Sequence, residues 1–137
     1  MQSKEIVKFK VAFDFDSTLV DHLHSKKIQT LVSILILGGA DVWIITSRSP
    51  DHKNEDVFKL CDKLGISKHK VILTNGAFKV NEFIRGGFDI IFDDQWGEIQ
   101  KIHESGNCGL MVGFNVFDLL CDVRDIDDIR KTFLDIE

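Results

Sequence analysis

Val7-Lys8-Phe9-Lys10-Val11-Ala12-Phe13-Asp14-Phe15-Asp16-Ser17-Thr18 is the stretch on which the fold turns. The run from Val7 to Phe15 is dominated by Val, Ala and Phe, and it predicts a strand buried inside a sheet. Asp14 and Asp16 follow where that strand gives way to a loop. Two carboxylates so close repel each other, and one is forced to keep its proton unless a cation lies between them. A hard divalent ion with oxygen ligands, shared with a phosphate, is the common physical solution.

Outward from this strand, short apolar runs alternate with amphipathic stretches. Ser25 reads as the N-cap of a helix through about Leu37, stopped by Gly38-Gly39. Val42 to Ile45 is a second strand ending at Thr46, and a polar loop leads to a helix from about Glu55 to Leu64, closed by Gly65. Val71 to Leu73 is a third strand, followed by the turn Thr74-Asn75-Gly76 and a short helix from Lys79 to Ile84. Phe88 to Phe92 is a fourth strand ending in Asp93-Asp94, then a helix from about Gly97 to His103, a fifth strand from Cys108 to Val112, and a closing helix from Asp125 to Leu134. Strand–helix alternation with short connections predicts a three-layer, doubly wound, Rossmann-like α/β domain around a parallel sheet of about five strands.

The 137 residues fit one domain, with no repeat, linker or low-complexity segment. A hydrophobic fraction of 44% and a charged fraction of 28% are those of an ordinary globular protein. The net charge of −5 excludes the basic footprint of a protein that coats nucleic acid, although local cations can still hold one phosphate. Cys61, Cys108 and Cys121 lack metal-binding spacing and read as buried reduced thiols, which predicts a cytoplasmic protein. The first ten residues are charged rather than apolar, so no secretory signal is expected, and the longest apolar stretch, Leu31 to Leu37, is too short to span a bilayer.

Ligands of open parallel sheets bind at the carboxyl edge of the strands. The polar residues that follow the strands are Asp14 and Asp16; Thr46, Ser47 and Arg48; Thr74, Asn75 and Lys79; and Asp93 and Asp94. If the strands are neighbours, these residues converge. Carboxylates, a hydroxyl and a lysine then outline a site for phosphate and Mg²⁺, the ammonium offsetting charge that one metal cannot neutralise. Lys70 is a rival for Lys79, but it precedes a strand and so belongs to the opposite edge.

Asp14-Phe15-Asp16-Ser17-Thr18 after one strand, Thr46 ending the next, then Lys79 and Asp93-Asp94, in that order, resemble the haloacid dehalogenase superfamily of phosphatases over roughly Val7 to Gly113. The resemblance implies that Asp14 is the nucleophile, forming an aspartyl-phosphate, and that Asp16 is the general acid and then the base for water. It implies that Thr46 and Lys79 hold phosphate oxygens, with Ser47 and Arg48 beside them. It also implies that Asp14, the Asp16 carbonyl and Asp93 or Asp94 bind Mg²⁺. The chemistry is sound on its own terms: covalent capture by a carboxylate splits one difficult step into two. A carboxyl facing a phosphate dianion can carry a proton near neutrality.

Six residues separate Thr18 from Ser25, and one helix and one strand fill the interval from Thr46 to Lys79, so there is no room for the cap domain of many relatives. In that superfamily an uncapped site goes with large substrates or with closure by a neighbouring subunit, which makes a homo-oligomer one expectation. Thr46-Ser47-Arg48-Ser49 in an uncapped build is similar to the 3′-phosphatase domain of phage-type polynucleotide kinases. The expected partner is therefore a phosphorylated substrate, either a small molecule or a nucleic-acid end. A phosphotransferase would use the same residues. A non-enzymatic phosphoacceptor or binding module is the other alternative, disfavoured because the third strand ends in Thr74-Asn75 rather than an Asp. His22 and His24 read as loop histidines near the site, Trp43, Phe58, Phe83 and Phe117 as core, and Trp96 as pocket wall or packing.

Overall fold

The computed structural model describes residues 8–113. Five strands form one sheet: β1 (Lys10–Phe13), β2 (Asp41–Thr46), β3 (Val71–Leu73), β4 (Ile90–Asp93) and β5 (Cys108–Met111). They lie in the order β3-β2-β1-β4-β5, and every pairing is parallel. The helices are α1 (Ser25–Leu37), α2 (Glu55–Leu64), α3 (Val80–Arg85) and α4 (Trp96–Glu104), with a short 3₁₀ turn at Lys68–Lys70. No helix among the described residues is long and apolar enough to cross a membrane.

Side chains alternate across a strand, so each strand feeds two cores. Val11 and Phe13 of β1 and Val42 and Ile44 of β2 pack with Val32 of α1 and with Val57, Leu60 and Cys61 of α2. Ala12, Ile45 and Ile91 point the other way, toward Phe83 of α3 and Ile102 of α4. Helices thus cover both faces, and β1 is fully buried at Val11, Ala12 and Phe13. This is the three-layer Rossmann-like architecture that the strand–helix alternation predicts, with no cap between its elements.

The ends of the elements differ from the hydrophobic runs. β1 begins at Lys10, where pairing with Asp41 begins, and Val7 lies outside the described residues. β4 starts at Ile90, because Gly86 and Gly87 still turn the chain while Phe88 closes back onto Phe83. Ser25 is the first helical residue of α1 rather than its N-cap; its hydroxyl donates to the Thr18 carbonyl and accepts the His22 N–H. Cys61 is buried as expected, whereas Cys108 is exposed, being the first residue of an edge strand. Trp43 is half-buried, its ring edge-on to Phe88 with the Lys10 ammonium 4.6 Å from both rings. Phe58 is also only half-buried. Cys121, Phe117 and the expected helix from Asp125 to Leu134 lie outside the described residues.

The chain lays down β1, β2 and β3 in one direction and then returns to place β4 and β5 on the other side of β1. That reversal opens a crevice at the carboxyl ends of β1 and β4, where doubly wound proteins bind ligands. The Asp14 N–H donates to the Phe92 carbonyl at 2.9 Å, carrying the β1–β4 ladder to the lip of the crevice.

Candidate active site

Asp14 leaves β1 with its side chain buried, 5% exposed. One of its oxygens accepts the Lys79 ammonium at 2.6 Å, the other the Thr18 hydroxyl at 3.1 Å. Lys79, immediately before α3, is 2% exposed, and its ammonium also donates to Asp93 at 2.6 Å. Asp93, the last residue of β4, is fully buried and accepts the Gln95 N–H with its second oxygen at 2.9 Å. Lys79 therefore clamps the acids of two adjacent strands.

Burial pushes the Asp14 carboxyl above the ordinary carboxylate range, against the pull of Lys79 and with the help of the Asp93 charge. Burial alone would lower Lys79, but the charges of Asp14 and Asp93 outweigh it and hold the ammonium protonated. Asp94 is pushed up to about 8, first by burial and then by its contact with Asp14. One buried Asp94 oxygen has no hydrogen-bond partner among the described residues.

Asp14, Asp93 and Asp94 each offer an oxygen within 4.8 Å of the others. With all three carboxyls ionised one ammonium cannot balance them, and the lone Asp94 oxygen then needs a donor or a cation. An all-oxygen acidic set of this kind fits a hard divalent ion such as Mg²⁺.

A cavity of about 360 Å³ opens at the crevice, lined by Asp14, Asp16, Ser17, Ser47, Lys79 and Asp94, among others. Asp16 reaches it through a tight turn in which the N–H groups of Thr18, Leu19 and Val20 all approach the Phe15 carbonyl and Ser17 takes a φ of 60°. The Asp16 carboxylate stands apart from the acidic cluster: both its oxygens accept from Arg48, at 2.8 and 2.9 Å. Arg48 holds both oxygens of Asp56 as well and lies 4.9 Å above the Phe15 ring. It lines a neighbouring cavity of about 480 Å³ rather than the one at Asp14.

Thr46 is fully buried, and its hydroxyl accepts the Arg48 N–H at 3.4 Å; Ser47, one residue on, lines the cavity where Thr46 does not. Lys70 sits at the opposite edge, paired with Asp41 at 2.7 Å. His22 is not an exposed loop residue but buried. Its Nδ1 accepts the His24 N–H, which leaves Nε2 protonated to donate to the Gly113 carbonyl at 3.2 Å. Trp96 is exposed and packs edge-on against His103.

Glu98 and Phe78 are among the cavity residues that escape a reading of strand ends. Glu98, in the first turn of α4, accepts the Lys79 N–H at 2.9 Å, and burial raises its carboxyl above the ordinary range. Phe78 lines the cavity although 51% exposed. The available signals were Glu98 opening the helix after the acidic pair and Phe78 directly preceding the lysine.

Neither a protein-family model nor a curated protein matches the sequence. Among solved structures, the chain is similar to an uncharacterized protein from Corynebacterium glutamicum, 13% identical over 84% of this chain and 94% of that one, with a TM-score of 0.62. It also matches nitrogenase Cp1, at 22% identity over 79% of this chain and 22% of that one, with a TM-score of 0.47. The first likeness is one of fold alone, and the second carries no argument.

Proposed function

We propose that the protein is a Mg²⁺-dependent phosphomonoesterase of the haloacid dehalogenase type, working through an aspartyl-phosphate on Asp14. The observation that carries this reading is the buried Lys79 ammonium, 2.6 Å from both Asp14 and Asp93 at the point where the sheet reverses direction. A structural ion pair has no need of two buried acids on one lysine with a third carboxyl beside them at a ligand-binding edge. Perturbed titrating groups gathered at a cavity are the mark of chemistry.

Asp14, Asp93 and Asp94 would hold the cation. When bound, Mg²⁺ supplies charge neutralisation for the phosphoryl oxygens and lets an anionic nucleophile approach them. The Asp14 oxygen attacks phosphorus, forming an O–P bond as the ester P–O bond breaks. Asp16, two residues on and lining the same cavity, takes up a proton from solvent as substrate draws it off Arg48, and gives that proton to the leaving oxygen. Asp16 then takes a proton from water, whose oxygen attacks phosphorus and releases phosphate, restoring the Asp14 carboxylate. Lys79 holds Asp14 in one orientation throughout, and the Thr18 hydroxyl fixes the other oxygen.

The test is phosphate release from an aryl phosphate with Mg²⁺ and with chelator, in wild type and Asp14→Asn. Release in wild type, lost in both other conditions, is expected; release that persists in Asp14→Asn overturns the nucleophile. Asp16→Asn should impair poor leaving groups more than activated ones, and equal losses across both would remove the general acid.

A further inference from the structure

Gly97 is the one glycine among the described residues with neither a positive φ nor any atom within 4 Å of the position its Cβ would take. It occupies the second position of α4, where glycine is a poor helix former and nothing in the fold demands it. What it does have is a place on the wall of the Asp14 cavity. Phe78 lines the same cavity and is the only apolar side chain among the described lining residues. Lys101, one helical turn beyond Gly97 on the same face of α4, sets its ammonium 5.4 Å from the Phe78 ring. Phe78 thus neighbours the helix that carries Gly97. Scattered exposed aromatics are ordinary, but this one is half-uncovered on a polar cavity whose lining also leaves open space at position 97.

We propose that Phe78 and Gly97 form a slot for a planar aromatic leaving group, so that the substrate is the phosphomonoester of an alcohol bearing an aryl or nucleobase ring. The inference rests on the phosphomonoesterase reading and adds the substrate class to it. A ring stacked on Phe78 puts its phosphate toward Asp14 and Lys79, which share the cavity with it. The free volume of about 360 Å³ is within the range of small-ligand pockets. Stacking on an aromatic platform tolerates any flat ring, so the slot selects planarity rather than one base.

The readout is a selectivity ratio, kcat/KM for phenyl phosphate over that for hexafluoroisopropyl phosphate, whose alcohols are of similar acidity. A nucleobase arm sets adenosine monophosphate against ribose phosphate. Phe78→Ala is expected to lower the ratio about tenfold, Phe78→Trp to restore it, and Gly97→Leu to lower it by filling the slot. The arm in which the ratio falls distinguishes an aryl from a nucleobase substrate. A ratio unchanged in Phe78→Ala in both arms overturns the slot while leaving the phosphatase reading intact. If wild type releases phosphate from none of these esters, the phosphatase reading fails. The slot is then decided by calorimetric binding of phenylphosphonate against propylphosphonate with Mg²⁺: a preference lost in Phe78→Ala upholds it, and equal affinities overturn it.

Discussion

Lys79 and Asp94 experience the same crowding with opposite results. The lysine keeps its charge because two carboxylates surround it, so Lys79→Met strands Asp14 and Asp93 without a counter-ion. Removing one partner of a buried pair costs roughly 3–5 kcal/mol, and chemical denaturation should register a loss of that order. Asp94 is held toward its neutral form, with its midpoint moved from 3.8 to about 8. Below 3.8 both the folded and the unfolded chain carry its proton; between 3.8 and about 8 the unfolded chain gives it up while the folded chain retains it. The folded state then binds more protons, so stability falls as pH rises through this window, by at most about 1.4 kcal/mol per pH unit from this group. With chelator present, Asp94→Asn should flatten that slope and exceed wild type in stability at the alkaline end. An unchanged slope would show that Asp94 ionises freely in the fold. The acids were legible in the sequence because each stands just beyond, or at the end of, an apolar run, whereas Lys79, past the turn that follows β3, was picked out by its place in the order of residues that the resemblance supplies. The Asp16–Arg48–Asp56 arrangement was not, since it joins loops 32 residues apart through side-chain conformation alone. Thr46 and Ser47 show how fine the limit is: the last strand residue remains in the sheet, and the next one emerges into the cavity.

Among the elements, two glycines at opposite ends of helices separate backbone need from cavity need. Gly65 ends α2 at a φ of 79°, its N–H donating to the Cys61 carbonyl. An L-residue there pays a steric cost, so Gly65→Ala should destabilise by about 1 kcal/mol. Gly97 is helical and unobstructed, so Gly97→Ala should stabilise by up to about 1 kcal/mol. Opposite shifts in denaturation midpoint are the outcome to look for; a loss in both would mean that Gly97 serves the fold after all. Gly65 as a helix stop was readable from its place after an amphipathic stretch, because left-handed caps favour glycine. The strand ends were less so. Hydrophobicity marks what is buried, whereas a strand ends where its partner does: Phe88 is buried but turns with Gly86 and Gly87, and Phe15 is buried beyond the last paired residue of β1. Contacts made by backbone groups, such as the Lys79 N–H donating to Glu98, leave no trace in residue type at the donating position.

At the scale of the whole molecule, alternating runs are enough to predict a parallel sheet with helices on both faces, but not which strands are neighbours, because one apolar run pairs as well as another. The order β3-β2-β1-β4-β5 supplies what the runs lack: it makes β1 and β4 adjacent and so brings Asp14 against Asp93 and Asp94. The fold buries apolar residues on both faces of its central strand and concentrates unreconciled negative charge at one edge. Such a site weakens the protein locally for the sake of chemistry, and any ligand that answers the charge restores stability. A cation that binds only the folded state adds RT ln(1 + [L]/Kd), about 2.7 kcal/mol at a hundred times Kd. Mg²⁺ should therefore raise the melting temperature of the wild type with saturation, chelator should reverse the rise, and Asp94→Asn should blunt it. The shift should also grow with pH across the window in which Asp94 loses its proton, because cation and proton compete for the same oxygens. A melting temperature indifferent to Mg²⁺ at either end of that window would leave the Asp14–Asp93–Asp94 cluster without the cation that the phosphatase reading requires.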